Sequence, residues 1–421
     1  MPNESPALRS APRVAAPFVL VLAALVGWLA RTAVSSMDYD KQLSFSRGPC
    51  RLLPAPTACE DVTLFEQGLA FAGCGDMASW LDSGSATAAA GAFYLVDARG
   101  RGTLRRVPLL GEAPAKLLVH GIFYSEQTRR LYAVNHDDEA GESVEVFEAV
   151  GWGVSVRLKH VQSVRSPLFA NGALNDVVEG EGDEIYVTEW LPFGVPKGGR
   201  AGVGNATAAE RLRKGLVAPM QLAQLRATRV FRCTLGEGGE GGEGGEGGGA
   251  RCAVATGERW VLANGIAISN DRQTALVVDT VREVVVTLAR QPGTGLLVKR
   301  GEVGTLHKVD NIEVDRSDGA LYGGTIPLPY TSRVVCNEAA PLAATKTVDG
   351  REVGCGKAPG GALRIGLSSD EGGLLGVAAG GQTEIAMHDG SLLSGVSSAL
   401  RLGDKVVMGS PDSPGVLVCD A

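Results

Sequence analysis

Eight polar residues recur at one point of a repeated strand pattern, and their types suit metal and acid–base chemistry. They are Glu60, Asp61, His120, Asn175, Asp176, Asn264, Asp310 and Asn311. Each opens a short apolar run, most clearly in Ala263-Asn264-Gly265-Ile266 and in Val309-Asp310-Asn311-Ile312. Taken singly, an Asn-Gly or Asp-Asn pair is a turn signal. Repetition at the same point of successive runs says instead that these side chains converge. Buried polar groups are costly unless they are paired or bind a metal. Four of the eight are acids and none is Lys or Arg, so the converged set would repel itself without a cation. Apart from the histidine, every member offers oxygen. Calcium accepts six to eight oxygens in flexible geometry and is the expected ion, with the stricter octahedral magnesium second.

Short strands at turn-bounded intervals must place these residues. After each polar opening, a second and a third β-like run follow, as in 263–269, 274–278 and 283–288. The same plan starts at Val119-His120-Gly121, at Leu174-Asn175-Asp176 and at Val309-Asp310-Asn311. Weaker copies begin at Cys59-Glu60-Asp61 and at Val396-Ser397-Ser398. Six copies, spaced about 45 to 90 residues apart, predict an all-β, six-bladed β-propeller. The innermost strand of each blade would line a central calcium-binding channel. The uneven spacing marks loop insertions, including 191–226 and the Gly/Glu tract 236–249, which is too polar to pack.

The chain has 421 residues, 58 of them Gly, and a net charge of −7, which excludes the basic field of a nucleic-acid binder. Arg9 and Arg13 precede an apolar run over 14–30, the pattern of an export signal. Residues 1–43 are therefore expected to be a signal peptide or an N-terminal membrane anchor plus linker. Residues 44–421 are expected to form the propeller domain. Eight cysteines without a CxxC motif fit the oxidising secretory pathway rather than a zinc site. Cys50 and Cys419 bracket the globular region and are expected to pair. Cys233 and Cys252 flank the Gly/Glu tract, and Cys336 and Cys355 flank another insertion, so each pair could staple its hairpin. That leaves Cys59 with Cys74. Asn205-Ala206-Thr207 is a glycosylation sequon, which places the domain on the lumenal or extracellular side.

From about residue 45 to the C-terminus the motifs resemble, in order, those of the serum paraoxonase/arylesterase family. They include Glu60-Asp61 with Gly68-Leu69-Ala70-Phe71, His120-Gly121-Ile122, Val134-Asn135-His136 and Leu174-Asn175-Asp176. Ala263-Asn264-Gly265-Ile266, Val309-Asp310-Asn311-Ile312 and Val416-Leu417-Val418-Cys419 complete the series. The resemblance implies two calcium ions in the channel. A catalytic ion would take Glu60, Asn175, Asn264, Asp310 and Asn311. A buried structural ion would take Asp61, Asp176 and the backbone carbonyl of Ile122. It also implies a histidine dyad, with His120 as general base on a water and His136 relaying the proton, while His160, His307 and His388 stay structural. The activity implied is hydrolysis of lactones, with aryl esters and phosphotriesters as side reactions. An ordinary imidazole pKa of about 6.5 would set the acidic limit of the rate.

The chain also departs from that family. Glu189-Trp190 stands where the family usually has Asp-His, Ile326 where it often has His, and Gln67 where it has Asn. These changes bear on substrate choice rather than on metal binding. The insertion over 208–226 is partly amphipathic, and in the family an equivalent segment touches lipid, so a membrane surface joins the small-molecule lactone or ester as an expected partner. Two other readings stand beside this one. One is a gluconolactonase-like propeller hydrolase with one metal and no histidine pair. The other is a non-catalytic, calcium-stabilised propeller that acts as a binding module.

Overall fold

A computed structural model of the chain describes residues 49–421 apart from 81–90, 195–215, 237–249, 327–344, 370–374 and a few single or paired positions. Of residues 1–48 it describes only scattered positions. The expected targeting segment, Asn205, Cys336, Cys355, most of the amphipathic insertion and nearly all of the Gly/Glu tract thus lie outside the described residues. Among the described residues no helix is long and apolar enough to cross a membrane.

The fold is an all-β propeller. Ala263–Ile268, Thr274–Asp279, Val284–Arg290 and Leu297–Gly304 show how one blade is built. The four strands follow one another antiparallel from axis to rim. The inner two are buried along their whole length, and both are mostly apolar apart from Asn264 and the end residues Thr274 and Asp279. The outermost alternates exposed residues with half-buried ones after a buried Leu297, because only one face packs on a neighbour. Two more four-stranded sheets and one five-stranded sheet repeat this plan. Apolar side chains fill the gaps between blades, as where Tyr186 and Val230 meet Ile266, Val277 and Leu288.

A further sheet has seven strands and is continuous through Cys50–Glu66. The first part of that strand pairs with Pro414–Asp420 and the second with Leu69–Gly75. The chain's two ends are thereby zipped into one sheet, and the Cys50–Cys419 disulfide clamps the seam. Cys59–Cys74 and Cys233–Cys252 are also bonded, each across directly paired strands.

The axial strands close a ring. Cys50–Glu66 packs beside Val119–Ser125, which packs beside Ala173–Glu179, then Ala263–Ile268, Val309–Val314 and Ser398–Leu402, and the last returns to Cys50–Glu66. Two devices adapt these strands to the axis. The pairing register of each of the first five slips at its polar residues: around Glu60, between Val119 and Ile122, between Leu174 and Val177, between Ala263 and Ile266, and between Val309 and Ile312. Such bulges free a residue from the ladder and re-aim its side chain. The second device is glycine. A Cβ on Gly121 would lie 2.5 Å from the Asn175 carbonyl oxygen, and one on Gly265 would lie 2.6 Å from the Asn311 Cα. Glycine after His120 and after Asn264 therefore lets neighbouring axial strands approach closely.

Candidate active site

The bulges bring Glu60, His120, Asn175, Asn264, Asp310 and Asn311 together at the axis, one or two from each of five strands. Glu60 is buried, and its Oε1 accepts from Asn311 Nδ2 at 2.8 Å. Its backbone carbonyl accepts from the Ser397 and Ser398 hydroxyls, the latter at 2.9 Å, so the sixth axial strand holds Glu60 in place. Asn264 hydrogen-bonds the Asp310 carboxylate. Four oxygens in this group are buried without any hydrogen-bond partner: Glu60 Oε2, Asn175 Oδ1, Asn264 Oδ1 and Asn311 Oδ1. Orphaned acceptors are rare in folded interiors and ask for a ligand. Amide and carboxylate oxygens suit a hard cation, so the residues present fit calcium. Among the described residues no three His, Cys, Asp or Glu side chains are placed to hold a metal by themselves. The three asparagines are what complete this set.

Asp61 and Asp176 are placed differently. Asp61 accepts from its neighbour Val62 N at 2.8 Å and from Ile122 N on the next axial strand at 2.7 Å. Asp176 does the same with Val177 N at 2.7 Å and Ile266 N at 2.8 Å. Each carboxylate thus latches one axial strand to the next. Burial holds all four acids above their usual range. For Glu60 the nearby Asp61, Asp310 and Asp176 add to the burial effect. Asp61 and Asp176 are raised chiefly by burial, and Asp310 is pushed up by burial to about 7.

His120 and His136 lie on adjacent strands of one blade, and both are buried. His120 Nδ1 is 2.8 Å from His136 Nε2. His136 Nδ1 lies 2.8 and 2.9 Å from the two carboxylate oxygens of Glu142. On the channel side, His120 Nε2 is 3.4 Å from Asn175 Nδ2 and 3.7 Å from Glu60 Oε1. Burial, and after it the proximity of His136, hold the His120 imidazole well below its ordinary pKa. The His120 imidazole therefore does not keep the ordinary value assumed for it from the sequence. The other histidines are engaged elsewhere: His160 with Glu145 at 2.9 Å, His307 with Glu384, and His388 Nδ1 with the Gly390 N–H at 3.1 Å.

No family model matches the chain, and neither does any curated protein. Among solved structures it is similar to a putative gluconolactonase, with TM-score 0.46 and 13% identity over 89% of this chain and 92% of that one. It is similar to a gluconolactonase from Xanthomonas campestris, with TM-score 0.43 and 14% identity over 89% and 90%. A third is the calcium-binding protein regucalcin from Agrobacterium tumefaciens, with TM-score 0.40 and 12% identity over 88% and 93%. At these scores the likenesses carry no argument about activity or metal; the propeller rests on the strand topology.

Two side chains at the site, Glu142 and Trp80, were not legible as functional in the sequence, and a third, Trp190, was noted there only as a departure bearing on substrate choice. Glu142 ends the imidazole chain. Trp80 stacks on His136 with ring centroids 4.0 Å apart and planes 12° from parallel. Trp190 stands edge-on to His120 at 5.8 Å. Trp190 and Leu262 pack on a buried cluster of Met77, Trp80, Leu118, Ala173 and Leu191, which makes this side of the dyad apolar. Its preceding residue, Glu189, is spent on a two-pronged pair with Arg229 at 2.8 and 2.9 Å. Ile326 is hydrogen-bonded through its backbone to Lys308.

Proposed function

We propose that the chain is a calcium-dependent hydrolase of lactones and aryl esters, with its site in the channel of a six-bladed propeller. The blade count is supported by the ring of six axial strands, with Cys50–Glu66 passing from the rim of the last blade to the axis of the first. One observation carries the activity: the channel end of the imidazole chain, His120 Nε2, lies 3.4 Å from Asn175 Nδ2 and 3.7 Å from Glu60 Oε1, beside the cluster of unpartnered oxygens. Glu60, Asn175, Asn264, Asp310 and Asn311 would hold a catalytic ion. Asp61, Asp176 and the Ile122 carbonyl would hold a second, structural one. When bound, the catalytic ion supplies a Lewis acid for the substrate carbonyl and the charge that develops on its oxygen.

The chain's own residues do the rest. His120 Nε2 takes a proton from water as the water oxygen bonds to the carbonyl carbon. His120 can pass its Nδ1 proton to His136 Nε2, which spreads the positive charge toward Glu142. When the bond from that carbon to the alkoxy or aryloxy oxygen breaks, a proton returns to the leaving oxygen. The apolar side around Trp190 excludes water from the dyad and favours substrates with an apolar body.

The three disulfides support an oxidising compartment. The lumenal or extracellular side is the compartment proposed for the catalytic domain, with Asn205 as its proposed glycosylation site and residues 1–43 as a proposed anchor or cleaved signal. The insertion over 208–226 is the segment proposed to meet a lipid surface.

A gluconolactonase-like hydrolase is the second reading, since the oxygen set without the histidines would serve the same lactone class. Assay of the purified protein against a lactone and aryl-ester panel, with calcium and with excess EGTA, tests the proposal. Turnover with calcium that EGTA abolishes is expected. Turnover indifferent to EGTA overturns the metal, and no turnover on any substrate leaves the binding-module reading.

A further inference from the structure

The geometry assigns Glu142 as the positioning residue of the histidine pair, acting through His136 to set which nitrogen of His120 is free to take a proton. The inference rests on the proposed reading of the site. Glu142 opens the strand Gly141–Val150, whose antiparallel register sets it directly opposite His136. Its carboxylate accepts only. With Oε1 and Oε2 at 2.9 and 2.8 Å, it requires a proton on His136 Nδ1. A neutral His136 then has a bare Nε2, which accepts from His120 Nδ1 at 2.8 Å. His120 consequently carries its proton on Nδ1 and turns an unprotonated Nε2 toward the channel, where Asn175 Nδ2 lies within 3.4 Å. One carboxylate thereby dictates the tautomers of two rings, the last of which is the base.

Two other contacts make the arrangement rigid. Trp80 covers the His136 ring at 4.0 Å, so the ring cannot turn without losing its stack. Glu142 Oε2 also accepts from Leu174 N at 2.9 Å, immediately before Asn175 and Asp176. The residue that orients the dyad is therefore tied to the strand that supplies oxygens to the channel. A nucleophile or base oriented by a second group, itself held by a third, is a recurring catalytic arrangement. A free imidazole shows no such preference for the Nδ1 proton, so the observed pattern depends on the carboxylate.

The test uses the full calcium-loaded protein labelled with 15N in histidine. Nitrogen shifts report each ring's tautomer, and hydrolysis of a lactone reports kcat and KM. In the wild type, His120 and His136 are expected to show protonated Nδ1 and bare Nε2. Glu142→Met, which keeps length but removes the acceptor, should move His136 to a mixture of tautomers. It should also lower kcat by about 10²-fold with KM little changed, within the range for an impaired general base. Glu142→Gln, which keeps one acceptor oxygen, should fall between. A Glu142→Met protein with wild-type tautomers overturns the inference, whatever its rate. So does loss of activity with unchanged tautomers and a lowered Tm, which would make Glu142 a structural clamp only. Should Glu142→Met fail to fold, Glu142→Gln decides by the same readouts, and wild-type tautomers with wild-type kcat overturn it. If the wild type hydrolyses nothing, the proposed function fails, while the nitrogen shifts still decide the role of Glu142.

Discussion

At the scale of single residues, the proposed chemistry depends on keeping one imidazole nitrogen unprotonated next to carboxylates. A carboxylate neighbour normally favours the protonated ring. Burial opposes it, because an imidazolium in a low-dielectric site is poorly solvated. Here burial prevails, and the His120 pKa lies well below the ordinary value of 6.5. The sign follows directly. The base form persists to lower pH than a free histidine would allow, so the rate should hold through pH 6.5 and fall only below it. His120→Gln should lower kcat by about 10² to 10⁴-fold and abolish that acidic limb, with calcium affinity nearly unchanged. A pH–rate profile of both proteins on one lactone checks this. A variant that keeps the wild-type rate and limb would move the base elsewhere, with Asp310 next in line.

At the scale of elements, the bulged axial strand is the unit that makes the site. Regular strands point successive side chains to opposite faces. Adjacent residues such as Asp310 and Asn311 can serve one axis only where the ladder slips, and it slips at each such pair. The glycine after His120 has an equally physical role. Gly121→Ala puts a methyl 2.5 Å from the Asn175 carbonyl oxygen and 2.6 Å from the Asp176 Cα, both backbone atoms that cannot swing away. The axial strands must then separate, at an expected cost of about 1 to 3 kcal/mol. Denaturant unfolding of Gly121→Ala should show that loss, and calorimetric titration should show weakened calcium binding. By contrast, Gly257→Ala on the surface has nothing within 4 Å of its new methyl and should leave calcium binding as it was. Equal calcium affinity in Gly121→Ala and wild type would mean that close strand approach does not shape the site.

For the whole molecule, the raised axial acids tie stability to pH, and the proposed ion to both. Asp310 and Glu313 are both pushed up by burial to about 7, and Glu60, Asp61 and Asp176 are raised as well. An acid raised in the folded state keeps its proton where the unfolded chain, with pKa values near 4, has already released it. The folded protein binds more protons over that interval, so its stability falls as pH rises from about 4 through about 7. In EGTA the Tm should therefore drop between about pH 5 and about pH 8, whereas excess calcium should flatten the trend by compensating the ionised acids. Thermal melts across that range with and without calcium check this. Parallel curves in the two conditions would show that the ion does not meet these carboxylates. The seam between the chain's ends, closed by strand pairing and by Cys50–Cys419, lets the ring hold these charges together at all.

The amino-acid sequence by itself determined the strands, their repetition and the oxygen chemistry of the axis. Short apolar runs and turn residues are local signals, and the polar residues recur at one point of those runs. Cys50–Cys419 and Cys233–Cys252 were suggested by positions at the two ends and around an insertion, and Cys59–Cys74 only as the pair left over. What only the tertiary structure decided are relations across strands and blades. Glu142 stands six residues from His136 in an unremarkable acidic hairpin, and the register alone sets the two side by side. Trp80 comes from outside the repeat pattern and finds His136 through packing. The latch that Asp61 and Asp176 each make, accepting from the next residue's N–H and from an N–H of the neighbouring axial strand, is likewise a relation across strands. Burial, which lowers His120 and raises the acids, belongs to the closed ring and to no single segment. Local sequence specifies which groups are present and how each strand bends. The distances between strands, and with them tautomer, partner and charge state, arise only when the propeller closes.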